Sequence, residues 1–137
     1  MAGFHLLVVA PERVVLDDQV TLLTLRSAGG DIGFLAGHVP FVGAIRPSLA
    51  HVEHEAGGSS RLAVHGGFVE VAPDGTVTVL ADVVERAEEI DLARAEQAAE
   101  RARALLAAAG ADGDPEAEAA LARAEVRLEA GLAVSGH

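Results

Sequence analysis

The feature that most limits the fold is an abrupt change of texture between about Ala81 and Asp91. Before it, apolar runs are short and cut by glycine and proline: FHLLVVA, VTLLTLRS, DIGFL, FVGAIR, LAHVEHE, RLAVHGGFVEVA and TVTVLAD, separated by PER, AGG, AGHVP, RPS, AGGSS and PDG. After it, no glycine occurs until Gly110 and no proline until Pro115, and the composition turns to Ala, Glu, Arg and Leu. Val- and Phe-rich runs between turn signals predict strands, whereas a Gly-free stretch of strong helix formers predicts helix. The expected fold is mainly β plus α: an N-terminal β-sandwich over residues 1–84, then a linker and an antiparallel two-helix hairpin over residues 85–137.

Local signals sharpen both halves. Val69, Val71, Val77 and Val79 alternate about Pro73-Asp74-Gly75, which predicts a β-hairpin turn. Asp91 suits an N-cap, Asp114 before Pro115 repeats that start signal, and Gly110 to Gly113 supplies the break between helices. The hairpin contact is expected from Ala98, Ala102, Leu105 and Ala109 on one helix and Leu121, Ala124 and Leu128 on the other. Alanine buries little area, and each contributes well under the roughly 1.5–3 kcal/mol of a buried Leu or Phe. The hairpin is therefore expected to be weakly held and able to detach.

Composition excludes several functions. The chain has 137 residues, no cysteine and a net charge of -11. Without cysteine there is no disulfide framework and no thiolate metal site, and a reducing, cytoplasmic compartment is expected. An acidic chain lacks the clustered basic footprint that nucleic acid requires, so no nucleic-acid partner is expected. No apolar run approaches the roughly 20 residues of a membrane helix and the first residues are not basic, so a soluble, uncleaved chain is expected. Every cation apart from histidine is one of ten arginines, the side chain that grips carboxylate or phosphate at two points.

Two stretches invite a functional reading. In GGDIGFLAGHVPFV, Gly29 to Val42, Asp31 and His38, with His65 or Glu70, offer an acid–base pair or a metal site only in residue type. No His pair at i,i+2 or i,i+4 supports either, and no catalytic or metal residue is assigned. The remaining readings are tight turns with His38 as a surface or capping residue, or a docking tip of Ile32, Phe34 and Leu35 framed by Asp31 and His38. In HGGFV, His65 to Val69, two glycines after a strand resemble a phosphate loop, but no helix follows; a β-bulge or a tight inter-strand contact is the better account.

The hairpin arginines are unevenly provided for. Arg103 has Glu100 one turn earlier, an ordinary surface pair. Arg101, Arg123 and Arg127 have no acid at i±3 or i±4, and Arg94 has only Asp91, already committed as a cap. They meet acids on the facing helix, are simply solvated, or await an outside anion.

The order of blocks FHLLVVAPE, GDIGFLAGHVP, HGGFVEV, VTVLAD and ERAEEIDLARA, followed by two Ala-rich helices, resembles the epsilon subunit of the bacterial rotary (F-type) ATP synthase over nearly the whole chain. The resemblance implies a ten-stranded sandwich with a helical hairpin, and a non-catalytic rotor subunit of the central stalk, peripheral on the cytoplasmic face of the cell membrane. Implied partners are the gamma subunit, the ring of c subunits and, transiently, the catalytic alpha and beta subunits, with Asp31, Ile32, Phe34, Leu35 and His38 at the stalk and ring interface. It also implies a hairpin that extends to inhibit hydrolysis, where Arg123 and Arg127 would meet the catalytic subunits. The IDLARA segment is similar to the I/L-D-x-x-R-A segment that binds ATP in some members. That implies ATP as a regulatory ligand of Glu85, Ile90, Asp91, Arg94, Ala95, Arg101, Arg123 and Arg127, with no cofactor required. The competing class is a free-standing ligand-binding or adapter protein with the same architecture.

Overall fold

The computed structural model describes residues 2–27 and 30–135. Seven strands precede two helices: β1 (Phe4–Ala10), β2 (Arg13–Ser27), β3 (Gly30–Phe34), β4 (Phe41–Ala44), β5 (Ser48–His54), β6 (Ser59–Val71), β7 (Val77–Arg86), α1 (Leu92–Ala109) and α2 (Pro115–Ser135). Short 3-10 turns at Ala87–Glu89 and Gly110–Asp112 link β7 to α1 and α1 to α2.

Three strands pass from one layer of the sandwich to the other. β2 pairs with β1 through Arg13 to Val20, and with β5 and β3 beyond the irregularity between Val20 and Leu22. The first part of β6 pairs with β5 and its last part, Phe68 to Val71, pairs with β4. β7 follows β6 along its length, while Val77 to Leu80 also run parallel to β1. One layer thus reads β2-β1-β7-β6-β4 and the other β3-β2-β5-β6-β7, five strands each. Seven continuous strands make the ten-stranded sandwich because β2, β6 and β7 serve twice.

Val8, Val20, Leu23, Phe34, Val52, Leu62, Val64, Val77 and Val79 are among the residues that fill the space between layers. The two glycines after His65 mark where β6 changes layer. Gly67 has φ +107°, and a Cβ there would overlap the Leu80 carbonyl oxygen and lie 2.8 Å from Ala81 Cα. The β6–β7 register runs through this point without a shift, so the pair marks a tight inter-strand contact and not a bulge. The Pro73-Asp74-Gly75 turn forms as its sequence predicts, with Gly75 at φ +94° and Asp74 accepting a hydrogen bond from the Thr76 amide.

Both helix starts are capped as expected: Asp91 Oδ1 accepts from Arg94 N, and Asp114 Oδ1 from Ala117 N. The hairpin lies on the outer face of the β5–β6–β7 layer. Val126 and Ala130 of α2 pack on Leu49, Ala63 and Ala87, with Ile90 at the margin. The α1 seam is Ala95, Ala99 and Ala102, which keeps Ala102 of the predicted set, as Ala124 is kept on α2, but Leu105 is 55% exposed. At 100° per residue Leu105 lies about 80° from Ala95 around the helix, which carries it off the seam, while Leu106 falls close to it. The sequence reading also starts β2 at Val20 and so misses its first half, where Asp17 and Asp18 interrupt the apolar pattern.

Candidate functional site

A pocket of about 450 Å3 opens at the seam between sandwich and hairpin, lined by Glu85, Glu89, Ile90, Asp91, Arg94, Ala95, Ala98, Arg101 and Arg127. Its size falls in the range of about 300–1,000 Å3 typical of small-molecule sites. β7 supplies Glu85 near its end, the 3-10 turn supplies Glu89, and α1 presents Arg94, Ala98 and Arg101 at spacings of four and three, one helix face. Seven residues of rise separate Arg94 from Arg101, about 10 Å along the axis. Neither guanidinium has a salt bridge within the described residues, whereas Asp91 is occupied as a cap.

Arg127 finds its acid in an unexpected place. Its Nε donates to Glu85 Oε1 at 2.6 Å, and the same oxygen meets His65 Nε2 at 3.0 Å. The acid is on the sandwich, neither on the facing helix nor outside the molecule. His65 projects from the outer face of β6 beneath α2 and is 4% exposed, with Nδ1 buried and lacking a hydrogen-bond partner. Burial first, and then the Arg127 and Arg123 charges, hold the imidazole below its ordinary pKa against the opposing hydrogen bond from Glu85.

Of the eight nucleotide-site residues suggested by sequence, seven line this one pocket; Arg123, one turn before Arg127, does not. Sequence reasoning missed Glu89, Ala98 and His65. Ala98 shares the Arg94–Arg101 face and was legible from helical spacing. His65 was not, because β6 delivers it from far away in the chain. The expected Glu100–Arg103 pair is not formed among the described salt bridges.

The docking loop needs one correction. Phe34 is 0% exposed and belongs to the sandwich core. It pairs with Leu23 across the β2–β3 ladder and stacks with His38 at 5.0 Å and Phe41 at 6.2 Å. Asp31, Ile32 and Leu35 are exposed, while His38 is half-buried by its aromatic neighbours and its Nδ1 meets the Val39 carbonyl at 2.8 Å. The chemistry considered for Asp31, His38, His65 and Glu70 does not converge, since His38 stacks on aromatic rings and His65 bonds Glu85. No group of three or more metal-ligating side chains occurs among the described residues.

A Ser60–His54–Asp18 chain has the donor order of a nucleophilic triad, at 2.7 and 2.8 Å. Asp18 is half-exposed, and the three residues come from β6, β5 and β2, which they tie together.

On the layer opposite the hairpin, strand register places Val14, Val9, Leu80, Phe68 and Ala44 in one cross-strand row. Val14, Leu80 and Phe68 are each more than half exposed. One outer face of the sandwich is thus covered by the hairpin and the other is left apolar, and no described helix is long and apolar enough to cross a membrane.

The model of the beta-sandwich domain of the ATP synthase delta/epsilon chain matches residues 3–87, and that of its long alpha-helix domain matches residues 88–131. The chain belongs to the ATP synthase delta/epsilon family. It is similar to the ATP synthase epsilon chains of Desulforudis audaxviator (50% identical over 101 residues, 74% of this chain and 72% of the relative) and Solibacter usitatus (47% over 124 residues, 88% and 90%). The Streptomyces coelicolor epsilon chain is 38% identical over 129 residues, 94% of this chain and 95% of its own. A chain in the Euglena gracilis mitochondrial ATP synthase OSCP/F1/c-ring structure superposes with a TM-score of 0.82 at 28% identity, covering 100% of this chain and 83% of that one. A chain of the Tetrahymena thermophila central stalk and c-ring, at 13% identity and TM-score 0.54, shares the fold over 64% of this chain and 69% of its own.

Proposed function

We propose that the protein is the epsilon subunit in the central stalk of a bacterial rotary ATP synthase, without catalytic sites of its own, coupling the stalk to the c-ring and regulating hydrolysis through its hairpin. The observation that carries this reading is the division of labour between the two outer faces. The hairpin covers the β5–β6–β7 face, while the Val14–Val9–Leu80–Phe68–Ala44 row crosses all five strands of the other and stands open. Apolar area of this kind, with charged residues at its edge, suits the buried centre of a protein interface. Its partner in this reading is the gamma subunit. In the same reading Asp31, Ile32, Leu35 and His38, exposed or half-buried on β3 and the β3–β4 loop, face the c-ring, and the protein is peripheral on the cytoplasmic side of the cell membrane.

Regulation follows from how weakly the hairpin is held. Its contact with the sandwich has few large side chains, and a hairpin released from it presents Arg123 and Arg127 to the catalytic alpha and beta subunits. ATP is the proposed ligand of the seam pocket. Arg94 and Arg101, spaced about 10 Å apart, would take the polyphosphate, and a ligand bound across α1, α2 and β7 favours the docked hairpin by its differential affinity for that state. Deleting residues 115–137 from the assembled enzyme is expected to raise ATP hydrolysis; unchanged hydrolysis removes the inhibitory role. Calorimetry is expected to show ATP binding that Arg94→Ala abolishes, and no heat at several millimolar ATP would leave Asp91 as a helix cap and nothing more.

A further inference from the structure

His65 lies within the contact that keeps the hairpin on the sandwich, and its surroundings are built from both sides. Glu85 of β7 holds its Nε2 at 3.0 Å, and Arg127 of α2 closes on the same carboxylate oxygen at 2.6 Å. Arg123 of α2 adds a second positive charge within electrostatic reach. β5 presents Leu49, and the 3-10 turn presents Ala87, neither of which carries charge. Glu89 of that turn and Arg94 and Arg101 of α1 stand around the pocket beside Glu85. A second contact, Arg26 to Glu129 at 3.4 Å, joins sandwich to α2 elsewhere and lies at the surface.

We propose that this junction is a proton-sensitive clasp, in which acidification charges His65 and releases α2 from the outer face of the sandwich.

The neutral ring fits the docked state: Nε2–H donates to Glu85 and the bare Nδ1 is buried without a partner. Charging it would add a buried N–H at Nδ1 with no acceptor, next to two guanidinium groups. A buried unmatched donor and like charges both oppose protonation. Once α2 lifts away, Nδ1 reaches water, Arg127 and Arg123 leave with the helix, and Glu85 remains to stabilise imidazolium. The released state therefore binds the proton more tightly than the docked one.

The sign follows from linkage. A base whose pKa is lowered in the docked state gives full docking above the ordinary imidazole value of about 6.5, and docking weakens as pH falls below it. If the docked form excludes the proton, the docking constant falls by at most about tenfold per pH unit below about 6.5. The consequence for an assembled rotor rests on the functional reading above, but the clasp is measurable on the isolated chain, so one can fail while the other stands.

The absence of native cysteine permits a direct test. Leu49→Cys places a thiol under α2, and Ser59→Cys, at an exposed position, serves as the reference. Modification by a pyridyl disulfide, expressed as the ratio of the two rates, cancels thiol ionisation common to both. The ratio is expected to rise toward tenfold between about pH 7.5 and about pH 5.5. With His65→Asn, which keeps a donor for Glu85, the change is expected to stay below about twofold. An equal rise with and without His65, or no rise at all, overturns the proposal. Because His65→Asn can also impair folding, the unmodified chain gives an independent readout by NMR. The His65 ring is expected to charge below the ordinary value of about 6.5; charging at or above that value overturns the clasp.

Discussion

Gly67→Ala is the substitution that most severely tests how β6 passes between layers. Alanine at φ +107° pays a backbone penalty of about 1–2 kcal/mol for entering a left-handed region. Sterics add to it, because the new Cβ meets the Leu80 carbonyl and Ala81 Cα, both backbone atoms that cannot rotate aside. β6 and β7 must separate there, and the Ile45 N to Gly67 O hydrogen bond of 2.8 Å is strained with them. Losing one or two such bonds costs about 0.5–1.5 kcal/mol each. The sum is about 1.5–5 kcal/mol before the steric term, a large share of the roughly 5–15 kcal/mol that separates most folded domains from unfolding. Gly75→Ala is the control: φ is +94° and nothing lies within 4 Å of the added Cβ, so only the backbone penalty of about 1–2 kcal/mol applies. Urea unfolding followed by circular dichroism measures both. Gly67→Ala is expected to lose about 0.5–3 kcal/mol more than Gly75→Ala from the hydrogen-bond share alone, with the steric overlap adding to it. Equal losses would refute the close β6–β7 approach as the reason for glycine.

Three further outcomes are expected. Phe34→Asp should prevent folding, since it buries a charge in the core, while Leu35→Asp should fold normally and weaken assembly into the stalk; circular dichroism and co-purification separate the two. Val126→Asp should detach the hairpin without unfolding the sandwich, removing a contact worth about 1.5–3 kcal/mol, and limited proteolysis within residues 88–115 would report it. Asp18, held below the usual carboxylate range first by its hydrogen bond from His54 and then by the Gln19 amide, contributes stability above about pH 4 that fades as pH falls through its lowered value. Asp18→Asn should flatten the acid limb of a stability-against-pH curve, and an unchanged limb would remove the pair from the account.

The parts of the fold carried by local chemistry were legible in the sequence. Asp91 and Asp114 cap helices because a side-chain oxygen beside free amides is a one-turn effect, and the Pro73-Asp74-Gly75 turn is likewise local. The continuity of β2 was hidden because Asp17 and Asp18 break the apolar pattern, although each is matched by a histidine brought from another strand. Phe34 was misassigned by grouping it with its loop; only its pairing with Leu23 shows that it faces the core. The seam pocket was half legible: Arg94, Ala98 and Arg101 follow from helical spacing, while Glu85, His65 and Arg127 meet across 20 and 42 residues of chain. No local signal predicts a charge network closed by tertiary contact.

The central claim is that this chain sits on the stalk by its open sheet face. With no native cysteine, Phe68→Cys provides a single thiol in the apolar row, half exposed on the free chain. Cross-linking that thiol in the assembled enzyme, followed by mass spectrometry of the product, is expected to join it to the gamma subunit, with the cross-link lost when Leu80→Asp disrupts the same row. Incorporation into the enzyme with Phe68→Cys freely reactive to water-soluble reagents and never joined to gamma would contradict the account.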